Sequence, residues 1–415
     1  MSTDNDTTVL RDLARQVAEV AAKPIQDERR RLWSDHMAMQ TTRPPVLVRY
    51  GKWNQWHRQV FSDENLSCEG EWNRHIERDL RSVLLHDTIG DDHIVEPWFT
   101  LWATRKHHPD GLWGVKIGHI GSNEGGGSWK FDPPIREWSD VDKLVAPVHE
   151  IDQEATARAV EYLTDLFGDI LQIDVRRGPL CRDFQADLST DLAGLRGLEQ
   201  MMVDMYDAPQ QLHKLVGFMQ QAVLACQDAG EAAGDYSLTF QENQAEIYCH
   251  GLEPPHANSG PRKRKDLWCH CSAQEFALVS AEMHDEFLLQ YQLPIIRQFG
   301  LVAYGCCEDL TRKINMLRQI PNLRQIAVSP MADIEKCAEQ IGTDYVISWR
   351  PSPADMVGYG FDEDRIRKTI GHAMDATKGL HVHVLLKDIE TVGGEPERLA
   401  RWVRVAREVI EERAS

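Results

Sequence analysis

Gly300-Leu301-Val302-Ala303-Tyr304-Gly305-Cys306-Cys307-Glu308-Asp309-Leu310 decides the fold. It starts as a short apolar run with a β-branched member, the pattern of a buried strand. It ends in two thiols and a carboxylate, and residues 311–319 then read as a helix. In a (β/α)8 barrel the chemistry sits at the C-terminal ends of the strands. Thiolate and carboxylate are both Zn²⁺ ligands, so Cys307, Glu308 and Cys306 are candidate metal ligands. The competing reading makes both cysteines small buried residues. Neighbours on a strand face opposite sides, so at most one of the two thiols faces a barrel centre.

Downstream, the same grammar repeats three times. Strands are expected at 323–329, 345–349 and 381–386, each followed by a helix, at 334–341, 363–377 and 396–411. Upstream, strands are expected at 43–50, 94–104, 169–175 and 236–240, and helices at 9–33 (broken at Pro24), 71–85, 156–167, 197–230 and 281–299. Strands alternating with helices mean a parallel sheet with right-handed crossovers. With roughly seven such units, a closed barrel is favoured over an open doubly wound sheet. No GxGxxG fingerprint points to a dinucleotide fold. The expected architecture is α/β, a single (β/α)8 TIM barrel over residues 1–415, with N-terminal helical and loop additions: a helical extension at 1–42 and a Gly-rich loop or lid at 105–134. The Glu124-Gly125-Gly126-Gly127 turn lacks the Lys-Ser/Thr of a P-loop and reads as a surface loop.

A chain of 415 residues with 27% charged and 42% hydrophobic residues is ordinary for a soluble globular protein. The net charge of −19 speaks against nucleic acid and anionic membrane surfaces as partners. The polar, acidic start carries no signal-peptide pattern, and no apolar run is long enough to span a membrane. Nine cysteines, an odd number, fit a reducing compartment rather than a disulfide framework. The expected location is cytoplasmic.

Other polar residues at strand ends are candidates for substrate contact. Glu242 and Asn243 follow the strand expected at 236–240. In Trp268-Cys269-His270-Cys271, alternate residues of a strand share a face, which puts Cys269 and Cys271 together and His270 away unless the segment is a loop, and Cys269, His270 and Cys271 are candidate pocket lining. Tyr304 ends the 301–304 strand, and His383 lies on the last one, where it also reads as a residue facing the outer helices. Lys387 and Asp388 close that strand, and the competing reading of Asp388 is a turn residue. Trp53, Trp56, Trp98, Trp102, Trp113 and Trp129 suggest either core or an aromatic pocket able to hold a quaternary ammonium.

Several segments together resemble the uroporphyrinogen decarboxylase superfamily, and within it the corrinoid-dependent methyltransferases. They are Gly194-Leu195-Arg196-Gly197-Leu198-Glu199-Gln200-Met201-Met202 with Asp204-Met205-Tyr206, Gln274-Glu275, Tyr291-Gln292-Leu293-Pro294-Ile295, and Tyr304-Gly305-Cys306-Cys307-Glu308. Ser329-Pro330-Met331-Ala332-Asp333 and the stretch from Lys387-Asp388 to Gly393-Gly394-Glu395-Pro396-Glu397 extend the resemblance. It implies a methyltransferase moving a methyl group between a small O-, N- or S-methylated substrate and a corrinoid protein, with zinc polarising the heteroatom. It adds Gln274 as a substrate contact and Glu275, with Asp388 and Lys387, as catalytic residues. Barrels of this superfamily often pair, which implies a homodimer. No Asp-x-His-x-x-Gly motif occurs, so a partner protein must bring the cobalamin.

Two departures qualify the resemblance. Arg43-Pro44-Pro45-Val46-Leu47-Val48-Arg49-Tyr50-Gly51 lacks the motif with which the decarboxylases hold a tetrapyrrole, which speaks against porphyrin decarboxylation. Gly305 stands where the methyltransferases' His-x-Cys histidine falls, and no cysteine lies near the last strand. The zinc set would then be Cys307 with Glu308 or another carboxylate. The rivals are a metal-free lyase or decarboxylase on the same barrel, and a non-catalytic barrel that binds a small molecule or corrinoid protein.

Overall fold

The computed structural model describes residues 4–50, 60–121 and 129–414. Ten strands occur among them: β1 (Val46–Val48), β2 (Trp98–Trp102), β3 (Gly118–Gly121), β4 (Trp129–Asp132), β5 (Gln172–Arg176), β6 (Trp268–Cys271), β7 (Leu301–Tyr304), β8 (Leu323–Val328), β9 (Val346–Trp349) and β10 (Val382–Leu386). Six of them form a curled parallel sheet in the order β1-β10-β9-β8-β7-β6. β2 and β5 make a separate parallel pair, so eight parallel strands fall into two sheets rather than one hydrogen-bonded ring.

The ring is interrupted because irregular chain takes the edge positions. Beside β1, the Asp92 amide donates to the Val46 carbonyl at 2.8 Å, and the Asp91 carboxylate accepts from the Val48 amide at 2.8 Å. Beside β6, His270 exchanges backbone hydrogen bonds of 3.0 and 3.1 Å with Phe184 and Ala186. The strand expected at 236–240 is instead a turn, closed by a 3.0 Å bond from the Phe240 amide to the Ser237 carbonyl. Thr239 donates its hydroxyl proton to Asp174 at 2.5 Å, and Gln241 accepts from the Trp268 amide at 2.9 Å. The apolar alternation of Tyr236, Leu238 and Phe240 survives as burial without strand pairing.

Side-chain parity divides the six-stranded sheet into two faces. Leu47, Trp268, Ala303, Val346 and Leu385 share one apolar cluster on the concave side, which Trp33 and Met37 also enter. Val46, Val48, Cys269, Cys271, Val302, Tyr304, Ile347, Trp349, Val384 and Leu386 belong to the outer layer, packed against helices such as Glu363–Ala376 and Arg398–Ala414.

The N-terminal helices are structural parts of this body rather than an appendage. Asp4–Ala21 buries Leu10, Leu13, Val17 and Val20 against Ile76 and Leu80 of Glu71–Ile89 and against Leu163 and Phe167 of Gln153–Phe167. Each fully buried Leu of that stripe contributes roughly 1.5–3 kcal/mol. Pro24 starts the second helix, Pro24–Met37, since a missing amide costs nothing in a first turn. Trp33 from this helix donates to the Asp92 carbonyl at 2.8 Å. Part of the stretch expected as a Gly-rich lid, 105–134, is the antiparallel β3–β4 ribbon; Glu124 to Gly127, like Trp53 and Trp56, lie outside the described residues. Among the described residues, no helix is long and apolar enough to cross a membrane.

Candidate active site

At the end of β7 the chain turns through Gly305 at φ +101°. A Cβ there would sit 2.7 Å from Leu310 Cδ1 and 3.0 Å from Ala327 Cβ, so glycine is what lets the following residues approach the sheet end. The next two residues, Cys306 and Cys307, have their sulfurs 3.5 Å apart. Cys306 is buried and Cys307 exposed. From the end of β10, Lys387 Nζ lies 3.1 Å from Cys306 Sγ and 3.8 Å from Cys307 Sγ. Asp388 Oδ2 accepts from Cys307 Sγ at 3.3 Å and lies 3.2 Å from Lys387 Nζ. Gln244 adds its amide, Nε2 3.7 Å from Cys306 Sγ and Oε1 3.5 Å from Lys387 Nζ.

This group is held under backbone strain. Asp388 at φ +57° and Gln244 at φ +63° are two of five non-glycine residues with positive φ among those described, and both reach the same pair of sulfurs. Such conformations persist where the surrounding structure imposes them. Electrostatically, the site favours a thiolate. The Cys307 hydrogen bond, then the positive charges of Lys387 and Arg350, bring the Cys306 thiol down to about 4 against the cost of burial. Cys307 moves the opposite way, chiefly because it hydrogen-bonds the Cys306 sulfur. The pair therefore carries one proton and one negative charge at neutral pH, in the manner of activated cysteines beside cations.

Glu308 does not face this group. Its carboxylate accepts from the Cys306 amide at 2.8 Å and from the Ala273 amide at 2.9 Å, tying the loop after β6 to the loop after β7. Burial pushes its pKa up. The zinc donor set expected from the sequence is thereby broken. Two thiols and the Asp388 carboxylate are present, but Lys387 occupies the approach to Cys306, and no group of three or more His, Cys, Asp or Glu side chains among the described residues is arranged to hold a metal. The residues as placed do not fit the ion.

The remaining expected residues separate. Cys271 and Tyr304 turn to the outer layer: Tyr304 Oη bonds His284 Nε2 at 2.9 Å and Gln292 Oε1 at 3.2 Å. Their parity is that of the outer face. Asn243 is a loop brace, donating to the Glu246 carbonyl at 3.1 Å and accepting from the Ala245 amide at 2.8 Å. Glu242 is half-exposed and pairs with Arg49, which follows β1, at 2.9 Å. Gln274 is exposed. Glu275 accepts from Ser189 at 2.5 Å and lines a 520 Å³ cavity with Trp129, Phe131 and Arg196, apart from the cysteines. His383 is fully buried on the concave side, between His36 and Ser348. His270 is on the concave side and buried, its Nε2 without a partner, and burial lowers its pKa.

Sequence reading missed Arg350, Gln244 and Asp183. Arg350 follows β9 and is 2% exposed; its Nη1 donates to the Cys306 carbonyl at 2.6 Å. Burial pushes Asp183 up to about 6. Trp102, at the end of β2, carries the guanidinium groups of Arg105 and Arg176 over its ring at 5.2 and 5.7 Å. Arg350 had the signal that marked Lys387, a polar residue at the C-terminal end of an apolar strand, whereas Trp102 was already among the tryptophans read as core or aromatic pocket. Gln244 had none, since its loop belongs to no strand.

No protein-family model and no curated protein matches the sequence. Among solved structures, the chain is similar to a methyltransferase from Methanosarcina mazei, with a TM-score of 0.51 and 13% identity over 91% of this chain and 97% of that one. At that identity the likeness is one of fold.

Proposed function

We propose that the two parallel sheets form one (β/α)8 barrel and that the protein is a corrinoid-dependent methyltransferase akin to the uroporphyrinogen decarboxylase superfamily. The reading rests on one observation above all: the Cys306 sulfur and Lys387 Nζ, 3.1 Å apart, at the C-terminal ends of two parallel strands. The fold shared with a protein named a methyltransferase supports it. Nine free cysteines suit a reducing cytoplasm.

A corrinoid carried by a partner protein would supply the nucleophile for the methyl group. The chain's own task is then the leaving heteroatom. As the methyl–heteroatom bond breaks, its electron pair stays on the heteroatom, and Lys387 Nζ is placed to donate a proton to it. Cys306 holds Lys387 in position, and Asp388 fixes the proton of Cys307 away from the reacting atoms. No step passes through a metal.

The test mixes the purified protein with cob(I)alamin and a panel of O-, N- and S-methyl compounds and follows methylcobalamin by absorbance. The expected result is donor-dependent methylation, slowed about 100-fold or more by Lys387→Met. Decarboxylation or elimination of a panel compound, with no methylcobalamin formed from any, would move the assignment to a lyase.

A further inference from the structure

Arg350 is a buried cation beside the Cys306 sulfur with no carboxylate paired to it. Of its guanidinium, only Nη1 is engaged, with the Cys306 carbonyl at 2.6 Å; Nε and Nη2 have no hydrogen-bond partner, and among the described residues no carboxylate lies within ion-pair distance. A buried charge left in this state is costly unless something pairs with it. The two free groups are not an arbitrary pair. Nε–H and one Nη2–H lie in the guanidinium plane along the same edge and point in parallel, the fork that takes both oxygens of a carboxylate side-on.

The position of the fork says where such a carboxylate goes. Arg350 continues the inward parity of Val346 and Ser348 on β9, and its backbone amide bonds the Val328 carbonyl of β8 at 2.9 Å, which keeps it at the strand ends. His270 faces the same concave side from β6, 6% exposed, and its Nε2 likewise lacks a partner. Between these two strands lie β8 and β7, and Cys306 follows the end of β7. Two strands thus bring unpartnered buried nitrogens to either side of the reactive sulfur, while the neighbouring carboxylates, Glu308 and Asp388, are committed to backbone amides and to Cys307.

We infer that Arg350, assisted by His270, binds the carboxylate of an anionic substrate and so sets its reacting carbon beside Cys306 and Lys387. The substrate class is a small methylated carboxylic acid, in place of a neutral ether, amine or thioether. The inference deepens the methyl-transfer reading and rests on the same site being the substrate site, but its test needs neither a methyl donor nor a corrinoid.

The probe is a pair of alkylating agents of nearly equal size. Iodoacetate carries a carboxylate one bond from its electrophilic carbon; iodoacetamide is its neutral counterpart. In both, the Cys306 thiolate displaces iodide and a carbon–sulfur bond forms, with no other reactant. Rates at Cys306 are read by peptide mapping, and the iodoacetate-to-iodoacetamide ratio cancels changes in the sulfur's own reactivity. We expect the ratio to exceed that of glutathione by about 10-fold to 100-fold, the range of one charged bidentate contact. Arg350→Gln should return it to the glutathione value, and Arg350→Lys, which keeps the charge but loses the fork, should fall between. In the unaltered protein, methoxyacetate should slow alkylation by iodoacetamide where methoxyacetamide does not, so the test survives a variant that fails to fold. A wild-type ratio equal to that of glutathione, or one that Arg350→Gln leaves unchanged, overturns the inference. Carboxylate selectivity without methyl transfer would retain the anion site and remove the methyltransferase.

Discussion

The two ends of β9 and β10 are built on opposite principles. Low in the sheet, Ser348 and His383 join His36 of helix Pro24–Met37 in a closed chain: His383 Nε2 to Ser348 Oγ at 2.8 Å, His383 Nδ1 to His36 Nε2 at 3.1 Å, and His36 Nδ1 to Thr42 Oγ1 at 3.3 Å. Trp33 packs edge-on against both imidazoles. A few residues along the same strands, Arg350 keeps two empty donors, Lys387 faces a thiolate, and Asp388 sits at positive φ. The low end satisfies its polar groups and is buried. The high end leaves donors unsatisfied and accepts strain. Local rules broken together at one end of a structure mark the end that acts.

The sharpest way to break this contrast is at Lys387. Lys387→Met should abolish most methyl transfer while leaving the melting temperature nearly unchanged, because only the high end is touched. The pH profile supplies a second reading. With the Cys306 pKa near 4, its alkylation by iodoacetamide should be flat between about pH 6 and pH 8, since the thiolate is already formed. Removing Lys387 raises that pKa, so rate should begin to climb with pH. Cys307→Ala should raise it further, because the Cys307 hydrogen bond is the largest single cause of the depression.

At the low end the expected effect is on stability alone. His383→Ala leaves His36 Nε2 and Ser348 Oγ without their partner around a cavity and should cost about 2–4 kcal/mol, with the alkylation rate of Cys306 unchanged. Burial holds His36 down at about 3 and His383 well below its ordinary value, so both stay neutral in the fold. The unfolded chain binds those protons below about pH 6.5. The contribution of the two is therefore complete above that pH and is lost as pH falls toward 3, each by at most about 1.4 kcal/mol per unit. Urea melts between those limits should show the slope, and His36→Gln should flatten it.

How much of this was legible in the sequence depends on whether a residue's role followed from strand parity. Strand and helix order was readable because β7 to β10 are apolar runs bounded by polar turns, and Lys387 and the Cys306-Cys307 pair follow from standing just past strand ends. Tyr304 and Cys271 were misplaced because strand position was read without deciding which face each presents. Glu308 was misjudged because a carboxylate's service to two backbone amides leaves no trace in sequence. The 236–240 segment has strand alternation, yet Thr239 and Gln241 give its neighbours side-chain partners in place of a ladder. Gln244 reaches the sulfur from a loop whose path is set by tertiary contacts, and no local pattern encodes that.

The smallest expected effect is also the one that most directly tests whether strain at the high end serves function. Asp388 occupies φ +57°, where glycine fits without penalty, yet its carboxylate is what accepts from Cys307. Asp388→Gly should relieve the backbone and stabilise the fold by up to about 1 kcal/mol, less the extra freedom glycine gives the unfolded chain. It should also free the Cys307 proton to serve Cys306 alone, lowering the Cys306 alkylation midpoint and slowing methyl transfer through a looser Lys387. Asp388→Ala keeps the strain and loses the carboxylate, so it should be the less stable of the two with the same kinetic defect. If Asp388→Gly were instead less stable than the parent, the 3.3 Å contact to Cys307 and the 3.2 Å contact to Lys387 would outweigh the strain, and the residue would belong with the satisfied low end of the strands rather than with the end that acts.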